Sequence, residues 1–562
     1  MAAKPKGGPY RMSVRMVLFP ALLAALVVAL LLVVGAVNFA RPATPHPGPP
    51  AISPLASTPS GKVVVGAFSS AVPISPEFWG VNVVANEPFT STDAADVAAT
   101  PVQYVRFPGG VLGEELNYTS GVITLTNGNH THALTSTAAF VASCKAIDCQ
   151  AIMQLPVEID SPSTAAYYAN YVAQTLDLQP AYWDLGDAPA GWTHFDVPWS
   201  EWGSEGGGNT TPAPFANEVH AYIQAVLQVD PAAKFIALGA GLAQPDYSMP
   251  WVEELAKIDG HELSGISVHS YVLKGPSNPT DAELFMNLTG SYSLPVQISA
   301  DREFIRAACP NCTNLQVFVT EINAAEDSSF ETLLGTFAGT LYLAAETVQG
   351  LTLNATNLDW FCYDCNYSGA WSLGPQKWQM QYYLFSDIMT QLGTETLPTN
   401  VTGPSTLYGV ATYDESGLAL LLVNVNTTSA VNVNIEKSGF KMEQSGITEY
   451  SWANGAELPT SSSVTLNGTV TLAPMSLMLL TTEPPSVARY PVTLTTSPST
   501  CGTIAFNGTG YTDGQSVQVT AGAYPVSATA CTGYTLESIV GSGSVTVSSG
   551  MATVSGAGGI AA

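Results

Sequence analysis

The chain has 562 residues, 46% of them hydrophobic, 9% aromatic and only 11% charged, with 17 Lys and Arg against 44 Asp and Glu. The aromatic content excludes a disordered chain, and the length suits three or four domains with a large core. Lys4, Lys6, Arg11, Arg15 and Arg41 lie in the first 41 residues, where there is no acid, so the body has 12 basic against 44 acidic residues; it would repel phosphate backbones, which excludes nucleic acid as a partner.

Residues 17–37 form an uncharged apolar run of 21 residues, long enough to span ~30 Å of hydrocarbon. The basic residues before it predict residues 1–16 as a cytoplasmic tail and the body as extracellular, a single-pass protein of the cell membrane. A cleaved signal peptide is the alternative. The run is longer than a usual signal core and no clean A-x-A site follows, which favours an uncleaved anchor. Residues 38–61, rich in Pro, Ala, Ser and Thr, read as an extended linker. Eleven N-x-S/T sequons, from Asn117 to Asn507, agree with an exported glycoprotein. So does the even cysteine count, which falls in near pairs: Cys144 with Cys149, Cys309 with Cys312, Cys362 with Cys365, and Cys501 with Cys531. A zinc site shared by the two C-x-x-C pairs is the alternative reading.

From about residue 62 to 395, short apolar runs alternate with amphipathic stretches. The runs are 79–83, 102–107, 151–155, 182–185, 235–239, 266–269, 317–321 and 358–363. Helical stretches are expected at 136–146, 163–175, 214–229, 249–258, 298–308 and 330–347. Eight buried strands alternating with helices predict a (β/α)8 barrel. An open doubly wound sheet fits less well, because no Gly-rich phosphate loop follows the first strand. In a barrel, Cys309 and Cys312 precede strand seven at the bottom while Cys362 and Cys365 follow strand eight at the top. Roughly 20 Å separates such positions, which argues for local disulfides over shared zinc. Residues 396–482 are short alternating strands between Asn/Gly turns and predict an antiparallel β-sandwich, which the segment 62–75 is a candidate to join. Residues 483–489 read as a hinge, and 490–562 as a small β module stapled by Cys501 and Cys531. It loosely resembles B-repeat-like modules of microbial surface proteins, implying a spacer or adhesion role.

Function in such a barrel sits where strands end at the C-terminal face. Those ends carry RFPGG (Arg106, Gly109, Gly110), WDLGDAPAGW (183–192), SVHSY (His269, Tyr271), VFVTEIN (Glu321) and LDWFCYDC. In this order, with a trailing sandwich, they resemble the retaining (β/α)8 glycoside hydrolases of clan A. The nearest likenesses are the β-glucuronidase/heparanase-like, arabinofuranosidase-like and xylosidase-like enzymes, over about residues 62–482. The resemblance implies that Glu321 is the nucleophile. Independently, a lone carboxylate ending an apolar strand is costly unless partnered or used; the alternative is a structural Glu321 paired with Arg106 or His269.

In that group strand four ends in W-E-x-G-N-E-P, whose second Glu is the acid/base. Here Asp187 stands at the family's Asn and Ala188 at its catalytic Glu. Retaining hydrolysis needs two carboxyls, and losing a general acid costs roughly 10²–10⁴-fold in rate. Three readings stay open: Asp187 takes the role, a loop carboxylate (Glu201 or Glu205) reaches in, or hydrolysis is lost. Strand alternation argues against Asp187 unless the strand end is bulged.

Trp192, Trp199, Trp202, Trp360, Tyr363 and Trp371 are candidates to line a sugar cleft, with Trp79; the competing reading for Trp79 and Trp360 is barrel core. Arg106, His269 and Tyr271 are candidates for substrate contact or for orienting Glu321. No cofactor or metal is expected, and the expected partner is a polysaccharide or other glycan. Three function classes follow: a retaining glycoside hydrolase, a non-hydrolytic carbohydrate-binding descendant of one, and a structural envelope protein.

Overall fold

The computed structural model describes residues 58–562 apart from positions 111, 119, 125–129, 158–159, 188, 190–210, 242–244, 274–278, 292, 326–335, 364–378, 438–446, 457, 466–467, 483–489, 500 and 520–521. Eight parallel strands close into a barrel: β1 (Trp79–Asn82), β2 (Tyr104–Phe107), β3 (Gln150–Leu155), β4 (Tyr182–Leu185), β5 (Phe235–Gly241), β6 (Leu263–Leu273), β7 (Gln316–Ala325) and β8 (Asn357–Trp360). Each pairs with the next in sequence, and β8 pairs with β1.

The strands are apolar on both faces, as a parallel sheet covered by helices requires. Alternate residues such as Val105, Trp183, Val317 and Leu358 join the core beneath the helices. The intervening Tyr104, Ile152, Tyr182, Ile236 and Phe318 form a separate cluster inside the barrel. Five of the main helices lie within about a turn of the expected stretches, Thr137–Ala146, Pro162–Asn170 continued by Tyr171–Thr175, Pro212–Leu227, Pro245–Asp259 and Leu294–Ala308, whereas Phe337–Thr352 begins and ends more than a turn beyond the expected 330–347. The sequence reading misses the helix Ser91–Ala98, which is short and has Val97 as its only large apolar residue. Thr90 nevertheless closes a capping box there with Asp93.

Two sheets follow, and the first departs from the expected antiparallel sandwich, because Ser60–Val65 pairs parallel with Val431–Lys437. One has the order Thr399–Thr402, Ser60–Val65, Val431–Lys437 and Thr469–Leu472. The other has seven strands, with Val72–Pro73 at one edge and Gly417–Asn424 near the centre. Ser60–Val65 and Val72–Pro73 thus belong to these sheets, and their facing side chains, among them Val63, Val65, Leu420, Leu422 and Val433, make a second core. Leu421, Val423, Trp452 and Leu479 instead join the barrel's core, and the Trp452 ring lies 5.4 Å from Phe337. That packing explains why helix Phe337–Thr352 is buried on nearly every face.

Strands between Tyr490 and Ala561 make a further sheet with its own core of Val492, Leu494, Ile504, Phe506 and Ile560. Disulfides join Cys144 to Cys149, Cys309 to Cys312, and Cys501 to Cys531. Cys362 is also disulfide-bonded; its expected partner, Cys365, lies outside the described residues. The expected membrane span at 17–37 also lies outside them, and among the described residues no helix is long and apolar enough to cross a membrane.

Candidate active site

Two backbone irregularities aim carboxylates into the barrel mouth. Along β6 and β7, Val268 pairs with Val319 but His269 pairs with Glu321, so Thr320 is an extra residue. Strict alternation would turn Glu321 outward toward the helices; the bulge returns it to the interior. After β4, Gly186 adopts φ +86°. This left-handed turn, which a glycine takes without strain, brings Asp187 back to the side that Asp184 faces. The alternation argument against Asp187 therefore fails at Gly186.

Both carboxylates meet Arg106, which projects from β2 and is fully buried. Its Nε donates to Asp184 Oδ2 at 2.7 Å, its Nη2 to Asp187 Oδ2 at 2.7 Å, and its Nη1 to Glu321 Oε1 at 2.8 Å and Asn82 Oδ1 at 3.1 Å. Tyr271 Oη donates to Glu321 Oε2 at 2.7 Å. The Nδ1 of His269 lies 3.4 Å from Glu321 Oε2 and its Nε2 3.9 Å from Asp187 Oδ2. One oxygen of Asp187, one of Glu321 and one ring nitrogen of His269 all lie within 4.8 Å of one another. These three donors suit a divalent cation in number. The guanidinium already holds both carboxylates, and its charge opposes a metal there.

One guanidinium faces three carboxyls in a buried setting. Burial disfavours the charge on Arg106, yet Asp184, Asp187 and Glu321 together outweigh it and raise its pKa. Burial, with Asp187 beside it, pushes Glu321 well above the usual carboxyl range, against the pull of Arg106 and Tyr271. Asp184 is pushed by burial up to about 6. Burial lowers His269 to about 4, so its imidazole is neutral at neutral pH. The cluster therefore retains a proton to higher pH than isolated carboxyls do, while the two donors on Glu321 favour placing the negative charge there.

The loop after β2 walls this site. Gly109 and Gly110 have φ +48° and +71°, and a Cβ on Gly110 would lie 3.1 Å from the Phe361 ring and 3.7 Å from Glu321 Oε1. The RFPGG segment thus supplies both the central guanidinium and a close backbone approach.

Other candidates lie elsewhere. Trp360 turns outward from β8 and packs edge-on against Phe385 at 5.2 Å. Trp79 meets the same ring at 6.4 Å. Tyr363 is buried against Phe89, and its hydroxyl donates to Asp93 and Asp96 on helix Ser91–Ala98. Alternation along β8 sends Trp360 to the helix layer, and Tyr363, beyond the end of that strand, is buried against Phe89 and helix Ser91–Ala98; this corrects the expectation that Trp360 and Tyr363 line a cleft. Ala188, Trp192, Trp199, Glu201, Trp202, Glu205 and Trp371 lie outside the described residues.

Sequence reasoning missed Asn82 and Asp184. Asn82 donates to Thr320 O at 2.8 Å, bracing the β7 bulge, and its Oδ1 accepts from Arg106. Asp184 also accepts from Ser267 Oγ at 3.0 Å. Each is a polar residue in an apolar barrel strand, and that signal could have found both.

The solved structures this fold is similar to include glycosidases. An α-L-arabinofuranosidase from Thermotoga maritima aligns with TM-score 0.59 and 16% identity, covering 75% of this chain and all of that one. A family 51 arabinofuranosidase from Xanthomonas axonopodis pv. citri gives 0.60 and 15%, over 75% and 99%. A family 44 endoglucanase from Clostridium acetobutylium gives 0.58 and 12%, over 75% and 99%. The fold is thus similar to that of these glycoside hydrolases. No family model matches the sequence, and no curated relative matches it either.

Proposed function

We propose that this protein is a retaining glycoside hydrolase in which Glu321 is the nucleophile and Asp187 the acid/base. The observation that carries the reading is the approach of Asp187 and Glu321, with oxygens within 4.8 Å, on either side of one guanidinium. Retaining enzymes hold their two carboxyls about 5–5.5 Å apart, whereas inverting ones need about 6.5–9.5 Å to admit a water. In the first step an ionised Glu321 Oε attacks the anomeric carbon and Asp187 gives its proton to the departing glycosidic oxygen. In the second, Asp187 takes a proton from water, which attacks the same carbon and frees Glu321. Arg106 and Tyr271 hold Glu321 in place and favour its ionised form, against burial and the neighbouring Asp187, which favour the protonated one, and the neutral imidazole of His269 adds no competing charge.

The substrate class is a polysaccharide or oligosaccharide. The setting proposed is extracellular, on a single-pass anchor at 17–37, which the uncharged run, its flanking basic residues and the sequons support.

A second reading, a carbohydrate-binding protein that no longer hydrolyses, draws on one observation: Ala188 stands where the family carries its acid. Turnover of aryl glycosides decides between them. Under the first reading, Glu321→Ala loses on the order of 10⁴-fold or more. Asp187→Ala slows substrates with poor leaving groups about 10²–10⁴-fold, spares activated ones, and is partly rescued by azide. Absence of Glu321-dependent turnover on any aryl sugar leaves the binding reading.

A further inference from the structure

We infer that a tyrosine-walled groove beside the barrel mouth is a second glycan-binding site, one that grips a neutral polysaccharide away from the catalytic carboxyls. The groove has a volume of about 370 Å³, at the small end of ligand pockets. One wall is a single helical face: Thr164, Tyr167 and Tyr168 on helix Pro162–Asn170, and Tyr171 directly after it. The lining also includes Ser136 and Thr137 at the start of helix Thr137–Ala146, with Leu116 and Tyr118.

Two of the four tyrosines are committed to structure. Tyr118 stacks on Tyr168 with centroids 3.8 Å apart, and the Tyr168 hydroxyl meets Thr137 Oγ1 at 2.9 Å. Tyr167 is different: its ring is 65% exposed at the rim. With Tyr171 one turn on, it gives an apolar ring surface edged by hydroxyls. Among the described residues no ring contact or hydrogen bond holds the Tyr167 side chain there.

The lining chemistry selects the ligand. None of the described lining residues carries a charge, in a chain with a formal net charge of −27. A pyranose has the matching surface: a C–H face to lie on the tyrosine ring and hydroxyls for the Thr, Ser and Tyr oxygens. An anionic ligand finds no cation here.

The groove also backs onto the catalytic wall. Tyr118 Oη donates to the Gln154 carbonyl at the end of β3. The Gln154 side chain donates to the Gly110 carbonyl at 3.2 Å, and Gly110 flanks Glu321. The proposal rests on the glycosidase reading for its ligand class, but its test does not depend on turnover.

The experiment is affinity electrophoresis of the full chain in gels containing arabinoxylan, xyloglucan or the acidic polygalacturonate. At least one neutral polymer is expected to retard the wild type. Tyr167→Ala is expected to weaken that retardation about five- to tenfold, the worth of one stacking face, and Tyr167→Phe to retain most of it. Turnover of a small aryl glycoside is expected to be unchanged in both variants. Undiminished retardation of Tyr167→Ala, no retardation of the wild type by either neutral polymer, or equal retardation by polygalacturonate would overturn the proposal. Loss of Glu321-dependent turnover with retardation intact would count against the hydrolase reading alone.

Discussion

Asp301 offers a quantitative test of how this protein responds to pH. It lies on helix Leu294–Ala308, 1% exposed, and among the described residues its Oδ2 has no hydrogen-bond partner. Burial is the cause that moves it, from 3.8 up to about 7. Because the folded-state value is raised, the folded protein keeps this proton while the unfolded chain has lost it. Stability is therefore full below the unfolded pKa of ~4, falls by up to about 1.4 kcal/mol per pH unit between ~4 and 7, and is flat above. The total cost at pH 8 is roughly 4 kcal/mol, an upper limit because water entering the site would lessen it. Asp301→Asn keeps the shape of the protonated acid and removes the titration. Its unpaired amide adds a penalty that does not depend on pH. Urea unfolding followed by tryptophan fluorescence at pH 4.5, 6 and 8 gives the difference between variant and wild type. That difference should swing in favour of the variant by as much as ~3 kcal/mol between the first and last pH. Parallel pH profiles for the two proteins would refute the reasoning.

Three other outcomes are expected. Tyr271→Phe removes the O–H that donates to Glu321 Oε2; steady-state kinetics on an aryl glycoside should show kcat reduced about 10- to 100-fold, the worth of a charge-assisted hydrogen bond, with circular dichroism unchanged. Gly80→Ala places a Cβ 1.4 Å from Asp359 Oδ1 inside the barrel, so the thermal midpoint should fall by the equivalent of about 1–3 kcal/mol or more. Cys501→Ala with Cys531→Ala opens a loop of sequence separation 30; the variant should lose roughly 3–4 kcal/mol in the C-terminal module, read as earlier proteolysis within 490–562.

The sequence by itself determined the barrel. Its eight apolar runs fall on the eight observed strands because a strand buried on both faces must be apolar along its length, a local property of composition. It also marked RFPGG, VHSY and VTE as strand ends that bear chemistry. Only the tertiary structure decided which of those residues meet. The alternation rule sends Glu321 and Asp187 to the wrong side; the Thr320 bulge and the Gly186 turn reverse it, and neither is visible without the neighbouring strands. It likewise decided against Trp360 and Tyr363 as cleft residues, since an aromatic reads alike in a sequence whether it faces helices or solvent. The three carboxyls around Arg106 come from β4, the turn after it, and β7, up to 215 residues from the guanidinium. Closure of the barrel brings them together, and burial there makes one buried cation the centre of the site.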